Sequence, residues 1–241
     1  LALGWGNIST QVLVVVRASS DLSHDPGDST NYTANAALGS GTALGGGSVV
    51  YKGNATNVTV TGLSADTRYY VRVYNMRGGG GTSENYRVSD ELAGDRYTLA
   101  NEPSGHVSAF SATPASQTQI NLSWTAAAGP PTGYIILRRS GAAPTGTPVD
   151  GTGYSVGNTI GDSTVAAIVT PGSSTSANIT GLSASTTYHF TIFPYNGSAA
   201  QAYNYRTAAT VSSANATTLP NAPAAVTGVT ASDGTNTAYV F

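Results

Sequence analysis

A nine-residue stretch of this 241-residue chain occurs twice, with two substitutions. Thr61-Gly62-Leu63-Ser64-Ala65-Asp66-Thr67-Arg68-Tyr69 returns as Thr180-Gly181-Leu182-Ser183-Ala184-Ser185-Thr186-Thr187-Tyr188, an offset of 119 residues. Two more anchors share that offset of 119: Asn85-Tyr86-Arg87 with Asn204-Tyr205-Arg206, and Leu3-Gly4-Trp5 with Leu122-Ser123-Trp124. Between the anchors the offset drifts to 122, where Val16-Arg17 meets Leu137-Arg138-Arg139, and then returns, so loop lengths trade off locally. A repeat of this length makes the chain two copies of one folding unit, each with a core of its own.

The phase of the repeat divides the chain. Shifting residues 107–122 by 119 places them on 226–241, so Phe241 aligns with Leu122 and hence with Leu3. Residues 1–102 are therefore expected to be a unit lacking its first strand or strands, and 103–220 a complete unit. Residues 221–241 then form the opening strand segment of a following unit, with Val226, Val229, Tyr239 and Phe241 as its inward-facing assembly residues. The chain begins at Leu1 and its single Met is Met76, so it is read as a processed product or an excerpt.

Within a unit the local pattern is that of strands. Ile120, Leu122 and Trp124 alternate with polar residues, and so do Tyr69, Val71 and Val73 and the matching Tyr188, Phe190 and Ile192. Residues 12–16 and 134–137 are short apolar runs bounded by Gly, Ser and Pro, the signature of a buried strand. Residues 49–51, 57–61 and 177–180 are further β-branched stretches, and no window sustains a helical period. Short strands with frequent turn residues predict an all-β fold of sandwiches or barrels.

Trp5 with Gly62-Leu63 and Tyr69, and Trp124 with Gly181-Leu182 and Tyr188, resemble the fibronectin type III domain, an immunoglobulin-like β-sandwich. The resemblance covers nearly the whole chain and implies two tandem sandwiches. It makes Trp5, Leu63, Tyr69, Trp124, Leu182 and Tyr188 a core signature, each Tyr forming a tyrosine corner and each Trp filling the space between sheets. Proline-bearing joints at Asn101-Glu102-Pro103 and Pro220-Asn221-Ala222-Pro223 sit where domains of that family join. At 119 residues a unit exceeds the family norm of about 100, and the excess lies between the third strand and the Gly-Leu motif. Pro148-Val149-Asp150-Gly151-Thr152-Gly153-Tyr154 in that region, and loosely Pro26 to Tyr32, is similar to segments of bacterial secreted or cell-surface repeat proteins.

Composition excludes several functions. Charged residues make up 9% of the chain, and 10 Lys+Arg against 12 Asp+Glu leave a net charge of −2. A nucleic-acid binder needs a basic surface to displace counterions, so no nucleic-acid partner is expected. No apolar run approaches the ~20 residues of a membrane span. Absence of cysteine removes thiol catalysis, disulfides and thiolate metal sites. Ser23, His24 and Asp25 are sequence neighbours and cannot adopt a triad, His106 and His189 stand apart, and no nucleophile elbow is present. The acidic stretch from Asp21 to Asp28 lacks calcium-loop spacing and reads as a solvated turn, and Gly78-Gly79-Gly80-Gly81 reads as a hairpin tip. No catalytic residue, cofactor or metal ligand is assigned, and the chain is read as no enzyme.

The remaining reading is structural. It is a subunit or repeat of an extracellular bacterial surface filament or adhesin stalk, assembled head to tail, with the C-terminal segment completing the next N-terminal unit. Its partner is then itself, as a polymer or a longer covalent array, with surface glycans as a further candidate. Asn-x-Ser/Thr triplets at Asn7, Asn31, Asn54, Asn57, Asn121, Asn178, Asn196 and Asn215, and Asp-Ser-Thr at Asp28 and Asp162, suit surface glycosylation of so uncharged a chain. The alternative is a fibronectin-type spacer of a secreted polysaccharide-degrading enzyme.

Overall fold

The computed structural model describes residues 1–6, 11–208 and 210–228. In the first unit the strands are β1 (Ala2–Gly4), β2 (Gln11–Ala18), β3 (Ala43–Leu44), β4 (Gly47–Gly53), β5 (Asn57–Thr59), β6 (Arg68–Arg77) and β7 (Asn85–Tyr97). The second unit holds β8 (Ser108–Pro114), β9 (Ile120–Thr125), β10 (Gly133–Ser140), β11 (Thr159–Ile160), β12 (Ser163–Val169), β13 (Ser176–Ile179), β14 (Thr187–Asn196), β15 (Asn204–Tyr205) and β16 (Ser212–Thr217). Two short 3₁₀ turns, Gly81–Ser83 and Ala200–Ala202, are the helical elements among the described residues. The chain is all-β.

Each unit pairs a small sheet with a large one. The large sheets run β3-β4-β2-β6-β7 and β11-β12-β10-β14, with β15 and β16 both pairing β14. Even the irregularities repeat: the β2–β4 ladder bulges between Val14 and Val15, and the β10–β12 ladder between Ile136 and Leu137. The small sheets differ. The second unit has three strands, β8-β9-β13, whereas in the first, among the described residues, β1 pairs β5 alone.

Val12, Val14 and Val16 face the first sandwich core, and Leu13 and Val15 face a second cluster with Leu44, Tyr74 and Tyr86. In the second unit Tyr134 and Ile136 face the core while Ile135 and Leu137 face a cluster with Phe193, Tyr195 and Tyr205. The central strand of each large sheet is thus buried on both faces, which is why its sequence is a continuous apolar run. What covers the outer face is the extra length of each unit. Leu22, Tyr32 and Ala34 from the loop after β2, and Tyr154 from the loop after β10, pack there. The strict alternation expected along β6 and β14 therefore ends part-way. Tyr74 and Phe193 are buried on the outer face, Thr191 is buried too, and His189, outward between the core-facing Tyr188 and Phe190, is half-buried.

Polar clamps fasten the long loops identically in both units. The Tyr86 backbone N–H donates to Asp28 Oδ1 at 2.7 Å and its hydroxyl to the Thr30 carbonyl at 2.9 Å. Tyr205 makes the same pair of bonds, to Asp150 Oδ1 and the Thr152 carbonyl, each at 2.8 Å. Tyr32 and Tyr154 accept from the backbone N–H of Gly27 and Val149, each at 3.0 Å. Burial of the Tyr86 and Tyr195 hydroxyls pushes both groups up to about 12.

Asp162 anchors the second loop at its other end. Its carboxylate accepts from Ser163 Oγ at 2.6 Å, the Thr145 N–H at 3.0 Å, Thr145 Oγ1 at 2.7 Å and Arg139 at 2.6 Å. The Ser163 hydroxyl and the Thr145 groups hold that carboxyl well below its ordinary 3.8. A depressed carboxyl stabilises the fold fully above the unfolded-chain value, and that contribution fades as pH falls through the lower folded value. Thermal unfolding across about pH 4 to 2 should accordingly show a shallower acid loss for Asp162→Asn than for wild type.

Candidate functional site

Two surfaces stand out once the repeat is superposed on the fold: the joint between the units, and the open edge of the first small sheet. The joint begins at the Gly-Leu motif. Gly62 and Gly181 share φ +70°, a backbone conformation that glycine adopts without strain. Seven residues on in each unit, the Tyr69 hydroxyl accepts from the Ser64 N–H at 2.9 Å, and the Tyr188 hydroxyl from the Ser183 N–H at 3.0 Å. Thr98 Oγ1 closes the first corner by donating to the Ser64 carbonyl at 2.6 Å, and Thr218 Oγ1 closes the second on the Ser183 carbonyl at 2.6 Å. The strand exit of each unit is thereby pinned at the residue where its linker starts.

From Thr98 the linker runs onto the end of the second unit. The Ala100 N–H donates to the Ala202 carbonyl at 2.8 Å, and Asn204 Nδ2 donates back to the Ala100 carbonyl at 2.8 Å. Asn196 Nδ2 donates to the Asn101 carbonyl at 2.9 Å, and Arg206 Nη1 to the Pro103 carbonyl at 3.0 Å. The Glu102 carboxylate lies 3.8 Å from Arg206. Asp66, on the turn before β6, accepts from both the N–H and the hydroxyl of Ser198, at 3.0 and 2.8 Å. Ala100 and Ala202 are buried in this joint. Asn196, one of the Asn-x-Ser/Thr positions, spends its amide here, on Asn101 and on the Thr132 N–H.

The open edge lies on the first unit. Among the described residues β1 has a ladder on one side only, to β5. Its other side borders a groove of about 610 Å³ between β1 and β7, lined by Leu1, Leu3, Trp5, Val71, Val73 and Leu92 among others. In the second unit the equivalent place is filled by β8, whose Phe110 ring stacks edge-on 6.2 Å from Trp124. Ser212 Oγ ties that strand's approach by donating to the Val107 carbonyl at 2.7 Å. The effect on burial is direct. Ile120, Leu122 and Trp124 are 0, 1 and 5% exposed, whereas Leu1, Leu3 and Trp5 are half-buried.

The signature residues divide accordingly. Trp124 and Leu182 lie in the second core with Tyr188 packed against it, while Tyr69 is buried in the first, with Trp5 and Leu63 packed against it. Val226 is fully exposed at 88%, and Val229, Tyr239 and Phe241 lie outside the described residues. The side chains of the Asp21–Asp28 stretch have structural partners. Asp21 pairs with Arg72, Asp25 accepts from the Tyr74 hydroxyl at 2.8 Å, and His24 Nε2 accepts from the Gly45 N–H at 3.4 Å. Arg72 holds the Asp21 carboxyl below its ordinary value. Ser163, in the second Asp-Ser-Thr triplet, is 2% exposed with its hydroxyl turned onto Asp162, so its oxygen is not presented for glycosylation.

Residues 105–209 match the fibronectin type III domain model. That segment lies within the second unit. No curated protein matches the chain in sequence. Among solved structures, the FN1–FN3 domains of chicken CNTN1 align over 90% of this chain and 62% of their own length, at 12% identity and a TM-score of 0.43. The two-domain fibronectin type III segment of chicken tenascin aligns over 90% of this chain and 91% of its own, at 14% identity and a TM-score of 0.32. A computationally redesigned β-sandwich protein aligns over 47% of this chain and 94% of its own, at 20% identity and a TM-score of 0.32. Among the described residues no helix is long and apolar enough to cross a membrane.

Proposed function

We propose that the chain is a load-bearing stretch of an extracellular bacterial stalk or surface filament, in which tandem sandwiches are held end to end. The division of the chain into units at 1–102 and 103–220, followed by an opening segment at 221–241, belongs to this reading. The joint carries it. A spacer that only tethers needs no built contact between its units, and a flexible linker would serve. Here the linker is fixed by main-chain and side-chain bonds from Ala202, Asn204, Asn196 and Arg206, and Asp66 reaches across to Ser198. Several such bonds acting together suppress hinge motion, because swinging one unit requires breaking all of them. The side chains that offered chemistry on paper, Asp21, Asp25 and Asp28, serve instead to fix loops and partners.

Small-angle scattering tests this. The wild-type chain should fit one extended arrangement of the two units. The Asp66→Ala/Asn204→Ala/Arg206→Ala variant should fit only a distribution of arrangements with unchanged unit stability. A wild-type profile that already needs a broad distribution would sink the stalk reading.

A further inference from the structure

Both units clamp the long loop of the large sheet with the same two bonds, but the clamps enclose different lengths of chain. In the first unit the Thr42 N–H donates to the Thr33 carbonyl at 2.8 Å, and the Thr33 N–H to Thr42 Oγ1 at 2.8 Å. In the second the Asn158 N–H donates to the Ser155 carbonyl at 3.0 Å, and the Ser155 N–H to Asn158 Oδ1 at 2.8 Å. Residues 34–41 lie inside the first clamp, and only Val156-Gly157 inside the second. The longer excursion reaches across to the small sheet. The Thr61 N–H donates to the Ala36 carbonyl at 2.9 Å, and the Leu38 N–H to the Thr61 carbonyl at 3.0 Å. Leu38 packs on the core cluster that includes Val16, and the Gly39 N–H donates to Ser48 Oγ at 3.2 Å. Residues 36–39 therefore close the gap between β4 and the end of β5.

No described residue closes the matching gap in the second unit. Thr180 is the counterpart of Thr61, one residue past the end of β13. The Trp124 N–H donates to the Thr175 carbonyl at 2.9 Å, and Ile179 stands opposite Ile120. Residues 175, 177 and 179 thus turn their backbone groups to β9, and Thr180 turns its own N–H and carbonyl to the open side. Neither group is paired among the described residues. A Cβ built on Gly62 would meet the Leu38 backbone at 3.6 Å, whereas one built on Gly181 meets nothing within 4 Å. Two adjoining hollows of about 170 and 380 Å³ open here, and Arg138 and Thr164 line both. Buried Val165 and Ile179 give the smaller one an apolar floor, and Thr180 stands at its side.

Arg138 is the residue that changes with the opening. Ser140 pairs Tyr188 as Ala18 pairs Tyr69, so Arg138 occupies the strand position that Val16 holds in the first unit. It stands opposite Thr164, as Val16 stands opposite Ser48. Its guanidinium lies over the Tyr188 ring, 5.9 Å from the centroid, and has no carboxylate or hydrogen-bond acceptor among the described residues. Asp162 also lines the larger hollow, but its carboxylate is already held by Arg139, Thr145 and Ser163. We propose that this opening binds an extended acidic peptide of a partner protein. The peptide lies along Thr180 as residues 36–38 lie along Thr61, and at the Leu38 position it places a Glu or Asp carboxylate on Arg138. The unpaired N–H and carbonyl of Thr180 select a peptide main chain, and the unpaired guanidinium selects a carboxylate. No residue of the joint takes part, so the site operates independently of how the units are stacked.

Nuclear magnetic resonance on the isotope-labelled full chain tests this. The probe is the capped peptide of residues 35–40 carrying Leu38→Glu, with the Leu38→Gln peptide as its neutral match. The glutamate peptide should shift the Thr180 and Gly181 amides and the Arg138 side-chain signal, with a Kd of about 1 mM. It should bind about tenfold tighter than the glutamine peptide, since a charge-assisted bond is the stronger one. Arg138→Val installs the residue of the first unit and should abolish that preference. Thr180 undisturbed at about 10 mM peptide, equal affinity for the two peptides, or a preference that survives Arg138→Val would each overturn the proposal. The comparison of the two peptides on wild type decides the matter even where Arg138→Val fails to fold. Glucuronate shifting the same signals where the peptide does not would overturn it in favour of an acidic sugar.

Discussion

Lys52→Met should destabilise the first unit by about 3–5 kcal/mol, the cost of leaving a buried charge without its partner. Lys52 is the chain's single lysine, and its ammonium sits 2.9 Å from the Glu84 carboxylate and 2.6 Å from Asn31 Oδ1. The Glu84 side chain is 1% exposed and that of Lys52 18%, so the two partners are not equivalent. Removing the lysine strands a carboxylate that has a second oxygen, Oε2, with no hydrogen-bond donor beside it. Removing the acid, in Glu84→Gln, leaves an ammonium that keeps Asn31 and some access to water, and should cost less. The second unit supplies the remedy. At the equivalent places it has Ile168 and Tyr203, both packed on the apolar cluster of Phe193, Tyr195 and Tyr205. The double variant Lys52→Ile/Glu84→Tyr should return the first unit to wild-type stability or above it, since well-packed apolar replacements of a buried ion pair are often neutral or better. Denaturant unfolding in a Trp124→Phe background, with Trp5 as the reporter, measures all three. If the lysine variant unfolds with wild type, the ion pair does not hold the loop.

Truncating the two tryptophans should expose the difference between the units. Trp124→Ala removes a ring that is 5% exposed and packed edge-on against both Phe110 and Tyr134, at 6.2 and 5.5 Å. A loss of about 3–5 kcal/mol is expected there, a melting drop on the order of 15 °C for a unit of this size. Trp5→Ala removes a half-buried ring with one aromatic neighbour, Tyr51 at 5.5 Å. Water already reaches one side of it, so its loss should be roughly half as large. Calorimetry on the two single variants compares them directly, and equal losses would mean that the groove beside Trp5 is closed in solution.

Much of the architecture could be read from residue order alone. The repeat reproduces both tyrosine corners at an offset of 119 and the ladder bulges at 122, because a repeated sequence repeats its local hydrogen bonding. The apolar run at residues 12–16 announced a strand buried on both sides. What covers its outer face was not legible. Tyr32 and Tyr154 lie in loops without regular structure, and periodicity carries no information where there is no period. The Lys52–Glu84 pair spans 32 positions with no local pattern to link its ends. The joint was visible only as prolines. Its recognising groups, Asn204 and Arg206, appeared as repeat anchors whose purpose emerges only when the linker is seen lying across them.

That arrangement has a bearing on how such arrays diversify. In the described joint the linker contributes mainly carbonyl oxygens, which every amino acid possesses, while the discriminating side chains belong to the module that follows. Compatibility between neighbours is therefore decided mostly by the receiver, with Asp66 the one strong side-chain contact from the body of the sender. Modules could be duplicated, deleted or reordered in the gene without retuning the connecting residues, so long as each newcomer keeps its asparagine and arginine. Array length would then be free to drift while every junction stays in register.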